Sequence, residues 1–200
     1  IRKATKVDYG IIRATTGAGK SEMIAGICKA INCPTVILAD MTVVVSQLKE
    51  RLELRAVEEE IGLFYAGEKP NGERIVVGSI QSLATPAAVG PSPSHEEFDT
   101  DAKYQNAIKK WQIKKDAYKT RLKNYKLLID YVKKAEMLIV DECDRSSSDS
   151  YRSVIRTHFK GRKKFGFSAT PYDPSKPLKN LIVEENFGPI IFDMNRKDVE

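Results

Sequence analysis

Between a short apolar run, Gly10-Ile11-Ile12, and an amphipathic segment, Glu22 to Ile31, the sequence reads Ala14-Thr15-Thr16-Gly17-Ala18-Gly19-Lys20-Ser21. The run before it has the character of a buried strand. After it, Met23, Ile24, Ile27 and Ile31 recur at helical spacing. A strand, a glycine-bearing turn and a helix N-terminus in this order aim successive backbone N–H groups at one point, where the helix dipole favours negative charge. The pattern predicts a phosphate cradle formed by Thr15, Thr16, Gly17, Ala18 and Gly19. Lys20 is then placed to reach the terminal phosphates, and the Ser21 hydroxyl to ligate Mg²⁺. Ala14 stands where the pattern usually begins with glycine. The alternative is an ordinary glycine-rich turn, and the strand before it and the helix after it weigh against that.

The rest of the chain keeps the same alternation. Thr35 to Ala39, Ile61 to Tyr65, Arg74 to Gly78, Met137 to Val140 and Lys164 to Phe167 all have strand character. Met41 to Glu60 carries Val44, Leu48, Leu52 and Val57 on one helical stripe, and a further helix is expected from about Asp149 to His158. A polar turn from Gly67 to Gly72 separates two of the strands, and Pro86 to Ser94 is a loop. Strands that are apolar at nearly every position are buried on both faces. The expected fold class is therefore α/β, with a mainly parallel sheet covered by helices on both sides.

Two hundred residues, 42% hydrophobic and 30% charged, suffice for a real core. No apolar run approaches the length of a membrane span, and no signal-peptide pattern follows Ile1-Arg2-Lys3-Ala4, so an intracellular protein, cytoplasmic or nucleoid-associated, is expected. Three cysteines without a CxxC pair fit a reducing compartment, and His95 and His158 have no ligand-like neighbours. The net charge is +6, yet residues 101–134 alone hold ten Lys and one Arg against three Asp, a local charge of +8. The remainder is slightly acidic.

That basic segment carries Tyr104, Ile108, Trp111, Tyr118, Leu122, Tyr125, Ile129 and Val132 at helical spacing, which predicts one long helix or two. Its aromatic stripe reads best as a packing face. Its lysines are equally compatible with a solvated surface and with an arm that grips a phosphate backbone.

Asp141-Glu142-Cys143-Asp144 closes an apolar strand, at the end of the sheet where α/β proteins place their ligands. Asp141 is placed to hold Mg²⁺ through water, and Glu142 to polarise an attacking water. Ser168-Ala169-Thr170 follows another strand and precedes Pro171.

Together these segments resemble the superfamily 2 helicases and translocases. Ala14 to Ser21 is similar to their motif I, Asp141 to Asp144 to motif II (the DExD/H box), and Ser168 to Thr170 to motif III. Ile37 to Gln47 lies where motif Ia falls, and Val76 to Leu83 resembles the nucleic-acid-contacting segment after it. The order and relative placement match over nearly the whole chain.

The resemblance implies a RecA-like ATP-binding motor domain, spanning residues 1–200 with the 101–134 helix inserted, that uses ATP and Mg²⁺. It implies that Lys20 and Glu142 serve hydrolysis, that Ser168 and Thr170 couple the ATP site to movement between domains, and that Thr42, Gln47, Gly78, Ser79 and Gln81 lie on nucleic acid. No adenine-recognition glutamine precedes Ala14. The Pro-Thr-Arg-Glu-Leu-Ala form of motif Ia is replaced by Ala39-Asp40-Met41-Thr42, and Phe187-Gly188-Pro189-Ile190-Ile191 resembles the exit strand of the DNA-directed branch. DNA is accordingly the expected track. An RNA helicase of the same build, or a nucleotide switch that does not move on nucleic acid, are the alternatives. No Gln-x-x-Gly-Arg-x-x-Arg segment is present, so a second RecA-like domain on the same polypeptide is expected to complete the motor.

Overall fold

The apolar runs become seven strands: β1 (Tyr9–Ala14), β2 (Thr35–Ala39), β3 (Ile61–Phe64), β4 (Ile75–Ser79), β5 (Met137–Asp141), β6 (Lys163–Ser168) and β7 (Ile190–Met194). In the computed structural model they form one sheet in the order β3-β4-β2-β5-β6-β1-β7. Every neighbouring pair is parallel. The structure describes residues 1–40, 42–55, 60–65, 68–83 and 85–194, the side chains of Thr42, Val43 and Arg55 excepted.

Strand periodicity divides the core in two. Ile37 and Ala39 of β2, with Met137 and Ile139 of β5, point to one face. There they meet Ile24 and Ile27 of α1 (Lys20–Ile31) and Leu48 and Leu52 of α2 (Thr42–Arg55). Val36, Leu38, Leu138 and Val140 point to the other face. They are covered by Leu128 and Val132 of α3 (Asp101–Lys134), Tyr151 of α4 (Asp149–Arg152), and Val183 and Phe187 of α5 (Pro177–Phe187). Alternate side chains of one strand thus feed separate cores, which is why these strands read as continuous apolar runs.

The basic segment is a single helix of 34 residues, about 50 Å long at the usual rise. The Thr100 side chain caps it by accepting from Lys103 N, and Lys133 and Lys134 sit against the negative end of its dipole. Only Leu128, Ile129 and Val132 are buried. Its last third packs on the sheet, and the rest of the aromatic stripe is half-buried. The helix expected from Asp149 to His158 starts as α4 and continues as a π-helical turn, Ser153–His158. Helix α5 has no counterpart in the sequence reading: its Leu178 and Leu181 are exposed, which blurs the apolar stripe. Among the described residues, no helix is long and apolar enough to cross a membrane.

Candidate functional site

Because every strand is parallel, the C-terminal ends of β1, β2, β4, β5 and β6 lie along one edge of the sheet. The loops expected to carry chemistry all emerge there. Strand β6 runs between β1 and β5, so Ser168 at its end sits between the glycine-rich loop and the acidic tetrad.

In the loop after β1, Gly17 and Gly19 have φ of 87° and 79°, a left-handed backbone that other residues adopt only with strain. Ala18 N donates to Thr15 O at 3.0 Å, closing the turn from which α1 departs. Thr16 and Gly17 are exposed, while Thr15, Ala18, Gly19 and Ser21 are half-buried around the helix start. Ala14 is fully buried and pairs with Met194 of β7. Its backbone is that of an ordinary strand residue, so a methyl group is accommodated where the pattern usually has glycine.

Lys20, the first residue of α1, reaches across to the acidic tetrad. Its Nζ donates to Glu142 Oε1 at 2.5 Å and lies 3.8 Å from Asp141 Oδ1. Asp141 is only 7% exposed, and burial raises its carboxyl above the ordinary range, with Lys20 opposing the shift. Glu142 has φ 53° and ψ 54°, left-handed for a residue with a side chain. Such backbone costs about 1–2 kcal/mol, and here the Glu142 N–H donates to Asp141 Oδ1 at 3.1 Å. The strained turn directs the carboxylate at the lysine. Cys143 is fully buried beneath it, its thiol pushed well up by burial.

The other end of the tetrad is tied to β6. Ser168 Oγ donates to Asp144 Oδ1 at 3.0 Å and accepts from Thr170 N at 3.1 Å. Lys179 Nζ of α5 lies 3.8 Å from Asp144 Oδ2. A further link leaves the tetrad sideways: Arg145 forms an ion pair with Asp40, the residue after β2 and just ahead of α2. Neither the Arg145–Asp40 nor the Lys179–Asp144 contact was legible in advance, since 105 and 35 residues separate the partners and no spacing rule joins them.

The segments expected on nucleic acid are more scattered. Gln47 on α2 and Gln81 after β4 are exposed. Gly78 and Ser79 are buried in β4, where the Ser79 hydroxyl accepts from Gln81 N at 3.2 Å. Thr42 opens α2, and its side chain lies outside the described residues. The structure thus joins Lys20, Asp141 and Glu142 by direct contact and ties Ser168 and Thr170 to the tetrad through Asp144. Gln81, just after β4, stands apart on the same edge, and Gln47 is exposed on α2.

Comparison with known proteins bears on the family and the fold. The family described as type III restriction enzyme, res subunit, matches residues 2–173. No curated protein matches the chain by sequence. The fold is similar to that of the UvsW helicase of bacteriophage T4 (TM-score 0.61, 16% identity), over 92% of this chain and 54% of that one. It is also similar to the Hef helicase domain of Pyrococcus furiosus (TM-score 0.61, 16% identity), over 99% of this chain and 38% of that one. A SWI2/SNF2 ATPase core of Sulfolobus solfataricus, solved in complex with dsDNA, is similar at TM-score 0.52 and 11% identity, over 93% of this chain and 32% of that one. The chain therefore spans about half or less of the length of these proteins. The family shown by residues 2–173, the all-parallel sheet and the strand-end site lead to one conclusion: the chain belongs to the type III restriction enzyme res-subunit family and has the RecA-like fold found in superfamily 2 helicase domains.

Proposed function

We propose that this domain binds ATP and Mg²⁺ at the edge formed by β1, β5 and β6, and drives movement on DNA together with a second RecA-like domain. The observation that carries the reading is the Lys20 ammonium, held between Glu142 at 2.5 Å and Asp141 at 3.8 Å beside a loop whose two glycines have left-handed backbone. A cation already seats against these carboxylates. The Ser21 hydroxyl and the Asp141 carboxylate are the hard oxygen donors that Mg²⁺ takes, with waters and phosphate oxygens completing its shell. Bound there, the metal would neutralise charge on the β- and γ-phosphates.

The chain's own residues divide the remaining work. Backbone N–H groups from Thr15 to Gly19 cradle the phosphates, and Lys20 exchanges its carboxylate partners for phosphate oxygens. Once released, the Glu142 carboxylate accepts the proton of the attacking water. Ser168, hydrogen-bonded to Asp144, carries the change at the tetrad to β6, and the Arg145–Asp40 pair carries it to the start of α2. Gln47 on α2 and Gln81 after β4, both exposed, hold the nucleic-acid backbone without reading its sequence.

DNA is favoured by the family, by the form of the segment after β2, and by fold-level likeness to an ATPase core that was solved with duplex DNA. The test is ATP turnover of the full-length protein with single-stranded DNA, duplex DNA and RNA in turn. Stimulation by DNA beyond RNA is expected. Stimulation by RNA alone would assign an RNA motor, and no stimulation by any of the three would leave a nucleotide switch.

A further inference from the structure

Two cavities sit side by side where β3 and β4 end. The first, about 450 Å³, is lined by Tyr65, Ser79, Gln81 and Thr85 from the sheet edge, and by Arg121 and Asn124 of α3. The second, about 590 Å³, lies between residues 87–93 and the same helix, with Lys110, Trp111, Lys114 and Tyr118 on its wall. Ala87 and Arg121 line both, so the two form one continuous trough. From Lys110 to Asn124 the helix residues involved recur every three or four positions, one face of α3 and about 20 Å of its length.

We infer that this trough is the continuation of the nucleic-acid path, taking a single DNA strand that passes Gln81 and runs along α3 toward its N-terminus. The inference rests on the reading of the domain as a DNA motor, and it assigns the basic helix a role within it. Charge is the first argument. Among the described lining residues of both cavities, Lys110, Lys114 and Arg121 are cationic and none is acidic. These three are exposed and form no ion pair among the described residues, whereas Lys103 and Lys119 of the same helix are paired with Asp99 and Asp116. A row of unpaired cations on one helix face, without an acidic neighbour, suits a phosphodiester backbone.

The walls argue for a single strand rather than a duplex. Trp111 and Tyr118 are half-buried in the trough, and stacking on such rings needs an unpaired base. Asn124 Oδ1, at the edge of the first cavity, is buried and has no hydrogen-bond partner among the described residues. The trough is also held open by design of its own residues: Trp111 Nε1 donates to Gly90 O at 2.9 Å, and Lys115 Nζ sits 4.4 Å from the ring centre. The tryptophan pins the far wall to the helix while Lys115 occupies one face of the ring.

Trp111 is the single tryptophan of the chain, so its emission reports on the trough alone. The test titrates the full chain with a dT oligonucleotide long enough to span the helix face, following Trp111 emission and the anisotropy of a label on the DNA. The triple variant Lys110→Gln, Lys114→Gln, Arg121→Gln is compared with Lys109→Gln, Lys123→Gln, Lys126→Gln, which removes the same charge from the opposite face. The first is expected to weaken binding at least about tenfold and to lower the slope of log affinity against log salt by about 2. The second stays close to the unsubstituted chain, and Trp111 emission shifts on binding. Equal losses in the two triples, or DNA binding that leaves Trp111 emission unchanged, overturn the trough while leaving the motor reading in place. Tighter binding of a U oligonucleotide than of dT overturns the choice of DNA. Absence of any nucleic-acid binding by the unsubstituted chain overturns the motor reading and the trough together.

Discussion

Ser168 Oγ donates a 3.0 Å hydrogen bond to Asp144 Oδ1, joining the end of β6 to the last residue of the acidic tetrad after β5. The same oxygen accepts from Thr170 N, so the hydroxyl also fixes the turn that leaves the sheet. Ser168 is fully buried, and Asp144 has Lys179 of α5 near its other oxygen. A helix, a strand and the tetrad therefore meet at one carboxylate.

Ser168→Ala removes both hydrogen bonds without adding bulk. A stability loss of about 2–4 kcal/mol is expected, the net worth of one neutral hydrogen bond and one to a carboxylate. Nucleotide affinity should remain near that of the unsubstituted protein while DNA-stimulated turnover falls. Equal losses in both would show that Ser168 shapes the nucleotide pocket itself and does not transmit from it.

Lys20→Ala takes the counter-charge from Glu142 and Asp141 and the phosphate donor from the loop. Nucleotide binding is expected to weaken about ten- to hundredfold, the value of one charge-assisted hydrogen bond. Calorimetric titration measures it. Unchanged affinity would mean that Lys20 serves the carboxylates alone.

Burial sets a pH dependence at Asp141. Its carboxyl titrates higher in the folded chain than in the unfolded one. Just above the ordinary carboxylate pKa, the folded state therefore keeps a proton that the unfolded state has released. Asp141 contributes a loss of stability as pH rises through this interval. Asp141→Asn should flatten that part of the profile, measured by urea unfolding at a series of pH values. Lys20→Ala should move it to higher pH, because Lys20 favours the ionised form. Magnesium affinity should rise with pH over the same interval, since the metal competes with the proton.

The Gly166 position in β6 tests how tightly the tetrad is seated. A Cβ built there would lie 2.8 Å from Cys143 Cβ and Sγ and 3.1 Å from Phe187 Cγ. Gly166→Ala should cost about 1–3 kcal/mol, the usual penalty for overfilling a packed core. It should also impair turnover by displacing the residue next to Glu142. A thermal melt and an activity assay on one sample check both.

Most of this architecture was legible in the residues. Alternating apolar runs such as Val36 to Ala39 and Met137 to Val140 marked strands buried on both faces, and Gly17, Gly19 and Lys20 marked the loop between β1 and α1. What escaped has a physical reason. Helix α5 buries Val183 and Phe187 but exposes Leu178 and Leu181, so its periodicity is blurred. The Asp40–Arg145 pair joins two strand ends through the tertiary fold, which local spacing does not encode. The stripe of α3 was visible, yet only its last third meets the sheet; the half-buried Trp111 and Tyr118 looked the same in sequence as the buried Ile129 and Val132.

The thiols offer a test independent of function. Burial pushes Cys28 up to about 12 and Cys143 well above the usual thiol range, so neither forms the reactive thiolate at neutral pH. Native chain treated with iodoacetamide should be labelled at half-buried Cys33 first, and at the other two only on unfolding. Rapid labelling of Cys143 in the native state would contradict the seating of the tetrad against Gly166.

The position of β6 has a consequence for how the molecule is made. Strands β1 and β5 do not hydrogen-bond to each other; each pairs with β6, which is threaded between them from residues 163–168. The glycine-rich loop and its carboxylate partners thus follow strands that are joined in the sheet only through one that lies about 150 residues after the loop. Contacts of this sequence separation form slowly. A nascent chain that has emerged only as far as the acidic tetrad lacks the strand that aligns β1 with β5, and the pocket is expected to close only after β6 has emerged.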